Sequence, residues 1–169
     1  CVRVARLRAS RWPTWSPNSE YFLVEEWPIE TNSDGLTDEL NWPIHLYKYP
    51  NRMATVGPGL RPFWLNDEAY GFFQIEDESM IMLTAIPGED APQPVFSNEI
   101  LLSEIPQTNR PDNLIIGSAS SNPRNAQELL VIAYAGNPAE GSTSRQDAYL
   151  FKVFLDETFS SAIAIEPLV

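Results

Sequence analysis

One cysteine and one histidine are all that this chain of 169 residues has of the side chains that most often hold metals. With Cys1 alone there is no internal disulfide, no Cys-based zinc or iron–sulfur set and no Cys-x-x-Cys-His haem attachment. His45 alone excludes a paired-histidine zinc motif, and it stands in no recognisable triad. There is no Gly-x-Ser-x-Gly elbow and no glycine-rich phosphate loop. Glycine is scarce, 8 residues against 15 prolines, which suits many short strands and turns better than long helices. Basic charge is scarce too: 11 Lys and Arg against 23 Asp and Glu leave a net charge of −12 and a pI near 4.4. Such a chain repels a phosphate backbone, so nucleic acid is not expected as a partner. No uncharged apolar run approaches the ~20 residues that cross a bilayer.

What the chain does have is a phrase stated twice. Residues 11–24 read RWPTWSPNSEYFLV and residues 60–73 read LRPFWLNDEAYGFF. Laid together without a gap, Pro13 meets Pro62, Trp15 meets Trp64, Asn18 meets Asp67 and Tyr21 meets Tyr70. Residues 109–118 (NRPDNLIIGS) form a weaker third copy, with Asn109 in place of the tryptophan. Pro, Asn and Asp are turn formers. After each turn comes a short apolar or aromatic run (21–24, 70–73, 114–116), and then a second (44–49, 80–86, 129–135). Runs of this kind read as buried strands. Gly57-Pro58-Gly59 and Ala91-Pro92-Gln93-Pro94 read as links between units. A spacing of about 45–49 residues matches one small antiparallel sheet per repeat.

The order Trp-Ser-Pro-Asn, strand, polar hairpin, strand ending in Gly resembles the TolB-type propeller repeat, a relative of the WD40 blade. Trp15-Ser16-Pro17-Asn18 is the best copy of its start and residues 114–136 of its hairpin. The resemblance covers residues 11–136. It implies an all-β fold of antiparallel repeats, propeller-like with three to four blades, either open or closed by a degenerate unit that uses residues 2–7. An ordinary β-sandwich is the alternative. Residues 11–169 are expected to form one β-repeat domain, with 1–10 as a tether or first strand. Trp15, Tyr21, Trp64 and Tyr70 are the expected repeat anchors.

A chain that begins at cysteine resembles a mature bacterial lipoprotein, whose Cys sulfur carries diacylglycerol. On that resemblance Cys1 is the lipid attachment point, and covalent lipid is the only cofactor expected. Arg3, Arg6, Arg8 and Arg11 would then face anionic headgroups, at about 1 kcal/mol each. Cys1 as an N-terminal nucleophile, with its own amine as base, is the enzymatic alternative. Cys1 as a mere boundary is the third reading.

Residues 27–42 look like an insertion bracketed by two Trp-Pro pairs. Within it Glu30, Asn32, Asp34, Gly35 and Asp38 approach a calcium-loop register, but Asn41 stands where a bidentate carboxylate is required. His45, Tyr47 and Tyr49 share one face of a strand. Glu76-Asp77-Glu78 reads as an acidic hairpin tip. Residues 97–105 fit a strand or one helical turn; 123–136 fit either state and are expected as strand because the repeat demands one. Residues 148–155 and 160–165 read as a C-terminal strand pair.

Together these features lead us to expect a non-catalytic, lipid-anchored extracytoplasmic subunit. It would support a larger membrane-attached complex, an electron-transfer complex being one host, with other subunits and membrane lipid as partners. A free envelope module recognising a peptide or glycan is the alternative. An N-terminal Cys hydrolase is the third.

Overall fold

The computed structural model describes residues 10–26, 41–48, 51–88, 91–137 and 142–168, with side chains for all of these but 10 and 142–146. The described residues are all-β apart from one short helix and one 3-10 turn. In order they are β1 (Ser10–Trp15), β2 (Tyr21–Glu26), β3 (Trp42–Lys48), β4 (Asn51–Trp64), β5 (Tyr70–Glu76), β6 (Ser79–Ala85), β7 (Gln93–Ser97), α1 (Asn98–Glu104), a 3-10 turn (Gln107–Asn109), β8 (Leu114–Asn122), β9 (Asn125–Asn137), β10 (Ser142–Leu155) and β11 (Ala162–Pro167). Every strand pair is antiparallel. β1 to β7 form one meander in sequence order, and β11-β10-β9-β8 form a second sheet. Among the described residues neither sheet closes on itself.

The meander folds over at β4. Residues 51–59 pair with β3, and residues 60–64 pair with β5. The two halves therefore lie face to face. Leu23, Ile44 and Leu46 of the first pack on Trp64, Tyr70 and Phe72 of the second. The other face of the second half carries Phe63, Phe73, Met80 and Met82 against Leu114, Ile116, Leu129, Val131, Phe151 and Val153 of the four-stranded sheet. The result is a stack of three antiparallel layers with two apolar seams. Strand alternation builds the seams: in β6 the residues Met80, Met82 and Thr84 are buried and their neighbours are not. Each fully buried large side chain contributes about 1.5–3 kcal/mol.

Gly57-Pro58-Gly59, expected as a link, lies instead inside β4 at the fold-over. Gly57 has φ +150, which L side chains rarely adopt. A Cβ on Gly59 would stand 2.6 Å from the Phe72 ring and 2.8 Å from the Phe73 carbonyl oxygen. The layers come this close because Gly59 has no side chain.

The third copy also needs correction. Asn109 ends the 3-10 turn, and residues 111–113 lead into β8 without a strand hairpinned to it, because α1 intervenes. The hairpin that matches the first lies later, between β10 and β11. In the first, Ser16 N–H donates to Tyr21 O (2.9 Å), Ser19 N–H donates to Ser16 O (2.8 Å), and Ser19 has φ +62. In the later one, Asp156 N–H donates to Ser161 O (3.0 Å), Phe159 N–H donates to Asp156 O (3.2 Å), and Phe159 has φ +57.

The two ambiguous stretches fall on opposite sides. Residues 98–104 are helical, capped by Ser97 Oγ, which accepts from Ile100 N–H. Residues 125–137 are strand. Asn98, fully buried at the head of α1, ties two layers: its Oδ1 accepts from Met80 N–H (2.8 Å), and its Nδ2 donates to Asn113 Oδ1 (2.8 Å) and Leu114 O (3.1 Å). The C-terminal strand pair is present, somewhat displaced from 148–155 and 160–165. The acidic hairpin tip is present too, with Asp77 at φ +54.

Candidate functional site

Among the described residues, charged and polar groups gather on the two faces of β2. Neighbouring strand residues point to opposite faces, so the adjacent Glu25 and Glu26 enter different surroundings.

Glu25 is fully buried and faces the seam between the first two layers. Arg11 Nε donates to its Oε2 at 2.5 Å, and the backbone N–H of Arg61 donates to its Oε1. Arg61 reaches onward, its Nη1 donating to Ile116 O in the third layer at 2.5 Å. One chain of polar contacts therefore spans the stack. The backbone explains how. Trp12 and Arg61 precede Pro13 and Pro62, the aligned prolines of the repeat, and both have positive φ, +53 and +52. Each sits where strand register slips, between Arg11 and Thr14 and between Leu60 and Phe63. Such bulges re-aim a residue. In the second unit the bulge turns Arg61 into the seam; in the first it leaves Trp12 56% exposed. Burial raises the Glu25 carboxyl above its usual range, against the opposing pull of the Arg61 N–H and Arg11. Burial lowers the Arg61 guanidinium, with Glu25 opposing.

Glu26 faces the other way. Tyr47 Oη donates to Glu26 Oε1, and His45 Nε2 lies 3.7 Å from Oε2. His45 Nδ1 is 3.1 Å from Thr55 Oγ1. Tyr47 stacks on Phe22 with centroids 4.6 Å apart, and Phe22 lies 5.0 Å from Trp15. These rings form a cross-strand row, Trp15–Phe22–Tyr47, with Arg52 next in register. Burial, with the Glu26 hydrogen bond next, pushes Tyr47 up to about 12. Burial lowers His45, Arg52 adds to that, and Glu26 opposes. Burial thus favours the neutral imidazole and weakens its 3.7 Å contact with Glu26 as an ion pair. Thr55, His45 and Glu26 have the makings of a relay, but the carboxylate bonds to Tyr47 and stands beyond hydrogen-bond reach of His45.

The expected anchors divide. Trp64 and Tyr70 are buried, their rings edge-on at 5.5 Å, and Trp64 Nε1 donates to Thr14 O at 3.1 Å across the seam. Tyr21 is half-buried against the same seam. Trp15 is 53% exposed and is no core anchor, since its face of β1 points away from the second layer. Arg11, expected at a membrane surface, is tied to the fold while 39% of its side chain stays exposed: it binds Glu25, and its guanidinium lies 3.7 Å over the Trp42 ring. Cys1, Arg3, Arg6, Arg8, Tyr49 and Glu30 to Asp38 of the calcium register lie outside the described residues. Asn41 is described, and it pairs with the backbone of Ile75 through both amide atoms, at 2.7 and 2.9 Å.

Sequence reasoning missed Glu25, Glu26, Arg61 and Asp156. For Asp156 a signal existed: Asp-x-Thr-x-Ser-Ser is a turn-capping pattern. Asp156 accepts from Thr158, Ser160 and Ser161 side chains and from Ser160 N–H. Slight burial pushes its carboxyl up, but the bonds from Ser161, Ser160 and Thr158 outweigh that and hold it at about 2. For Glu25 and Glu26 no local pattern distinguishes buried acids from surface ones.

With the geometry in place, two comparisons bear on kinship: no protein-family model matches the chain, and no curated protein matches it.

Proposed function

We propose that this chain is a non-catalytic interaction module, a propeller-like open array of three layers that gives structural support to a larger extracytoplasmic assembly. The observation that carries this reading is the use of the polar groups. Ser16, Glu25, Asn98 and Asp156 each hold a turn or tie a seam, so the chemistry on display serves architecture. The stack also ends in two outer faces that in a longer array would each meet another layer. Trp15 and Leu130, 53% and 42% exposed, stand on those two faces. The surplus of acid favours partners that are not themselves acidic.

Size-exclusion of gently solubilised native membranes tests the reading. The chain should elute with other proteins at a mass well above its own 19.1 kDa. Elution as a partnerless monomer would end it. Acylation of Cys1 would place that assembly on a membrane; the intact mass of the native protein reports it directly.

A further inference from the structure

Most polar side chains inside the stack hold a turn or tie a seam; the Tyr70 hydroxyl does neither. Tyr70 opens β5, paired with Trp64 on one side and Ala85 on the other. Its ring stands edge-on to Trp64 and packs in the seam between the first two layers, which leaves the residue only 4% exposed. A buried tyrosine ordinarily gives its O–H a partner. Here the hydroxyl has no hydrogen-bond partner among the described residues, and none of their fully buried side-chain oxygens or nitrogens lacks one. The Tyr70 Oη therefore meets open space.

That space is a cleft of about 390 Å³ between the first and second layers. Near the fold-over the layers touch, the Phe72 ring lying against Gly59. Farther along, Leu46 and Val56 form one wall, and Tyr70, Ala85 and Ile86 form the other. Ala54 and Ala85 are too short to close the gap between them. Among the described residues no side chain that lines the cleft is charged, and Thr55 carries the one other hydroxyl. Thr55 is already engaged, its Oγ1 standing 3.1 Å from His45 Nδ1. An ordered water wants about two to four polar partners, and these side chains offer it Tyr70 and little else.

We propose that this cleft binds a small, uncharged, mostly apolar molecule of one or two rings, held by one hydrogen bond from the Tyr70 hydroxyl to its acceptor oxygen. Size and chemistry both follow from the walls. An engineered apolar cavity of about 150 Å³ holds benzene, so about 390 Å³ takes two fused rings. Apolar walls supply affinity in such pockets, and a few polar groups fix orientation. Burial pushes Tyr70 up to about 12, so the phenol keeps its proton at neutral pH and donates. A carboxylate would meet no cation in the described walls, within a chain of net charge −12. The cleft is built from residues between 46 and 92, and it stands apart from the interaction-module reading.

The test uses the full chain, 2-acetylnaphthalene as the probe and 2-ethylnaphthalene as its counterpart without an acceptor. Kd is read from backbone amide shifts by NMR. The ketone should bind one saturable site, shifting amides near Leu46, Val56, Tyr70 and Ala85. Tyr70→Phe should weaken the ketone about fivefold and leave 2-ethylnaphthalene within about twofold. Its thermal melt should not change, since the hydroxyl has no bond to lose in the fold. Ala85→Leu, which fills the cleft, should weaken both probes at least tenfold. 2-Naphthoate should bind at least tenfold more weakly than the ketone. No saturable binding, shifts elsewhere, equal losses of both probes in Tyr70→Phe, or tighter binding of the naphthoate overturns the site. If Ala85→Leu does not fold, Tyr70→Phe decides alone, because it removes one oxygen and no packing.

Discussion

β4 and β10 are each fourteen residues long, and Ser142 follows Asn51 by the same 91 positions as Leu155 follows Trp64. Both run into a tight turn and a following antiparallel strand. Yet β4 belongs to two layers and β10 to one. β4 stops pairing with β3 at Gly59 and begins pairing with β5 at Leu60. β10 pairs with β9 up to Phe154 and with β11 from Phe151, so its pairings overlap. The difference lies at equivalent positions, Gly57-Pro58-Gly59 in one and Ala148-Tyr149-Leu150 in the other. Proline withholds a ladder donor, and glycine admits a backbone bend and a close approach. Ala-Tyr-Leu does neither. A short glycine–proline segment thus decides whether a strand continues a sheet or starts a new layer.

The comparison can be broken most sharply at the end of β4. Trp64→Ala should destabilise by about 3–5 kcal/mol in denaturant unfolding, because it empties the seam and frees the Thr14 carbonyl. Trp15→Ala, at the same place in the repeat but exposed, should cost under about 1 kcal/mol. Equal losses would mean that the two faces of the first layer are packed alike. At the bend, Gly59→Ala should cost about 1–3 kcal/mol by forcing the layers apart. Its counterpart Ala148→Gly should cost only about 0.5–1 kcal/mol, through backbone entropy. A neutral Gly59→Ala would show that the close approach is not needed.

The two like turns sharpen the picture by pH. Asp156 is held below its unfolded pKa of 3.8, so its contribution is present above about pH 4 and is lost as pH falls towards 2. Measured against its intrinsic rate at each pH, amide exchange at Phe159 should therefore quicken over that window. Exchange at Ser19, in a turn held by the non-titrating Ser16 hydroxyl, should quicken less. Asp156→Asn should flatten the dependence. Parallel acceleration at both turns would trace the change to global unfolding instead.

Much of the architecture was legible in the chain. Short aromatic and branched runs between turn formers marked most strands, and the aligned prolines at 13 and 62 marked equivalent positions, though not that each follows a bulge. The last hairpin was legible as a strand pair, but its kinship with the first was not, because Asp156 with its hydroxyl neighbours does by hydrogen bonding what Pro17 and Asn18 do in the first. Residues 98–104 carried both a strand and a helix signal. The Ser97 cap and the burial of Leu101 against neighbouring strands settled them as helix. The polar set on β2 was invisible for a simpler reason: Glu25 and Glu26 look alike in sequence and are separated only by the face each occupies.

Local chemistry along the chain determined the all-β character, the turn positions and the recurrence of one hairpin, since turn propensity and strand alternation act over a few residues. Which tryptophan became core, where Arg61 reaches, and which face of β2 each of Glu25 and Glu26 meets depended on how the layers stack. Those outcomes come from contacts between residues far apart in sequence, and packing fixes them only once the layers have met.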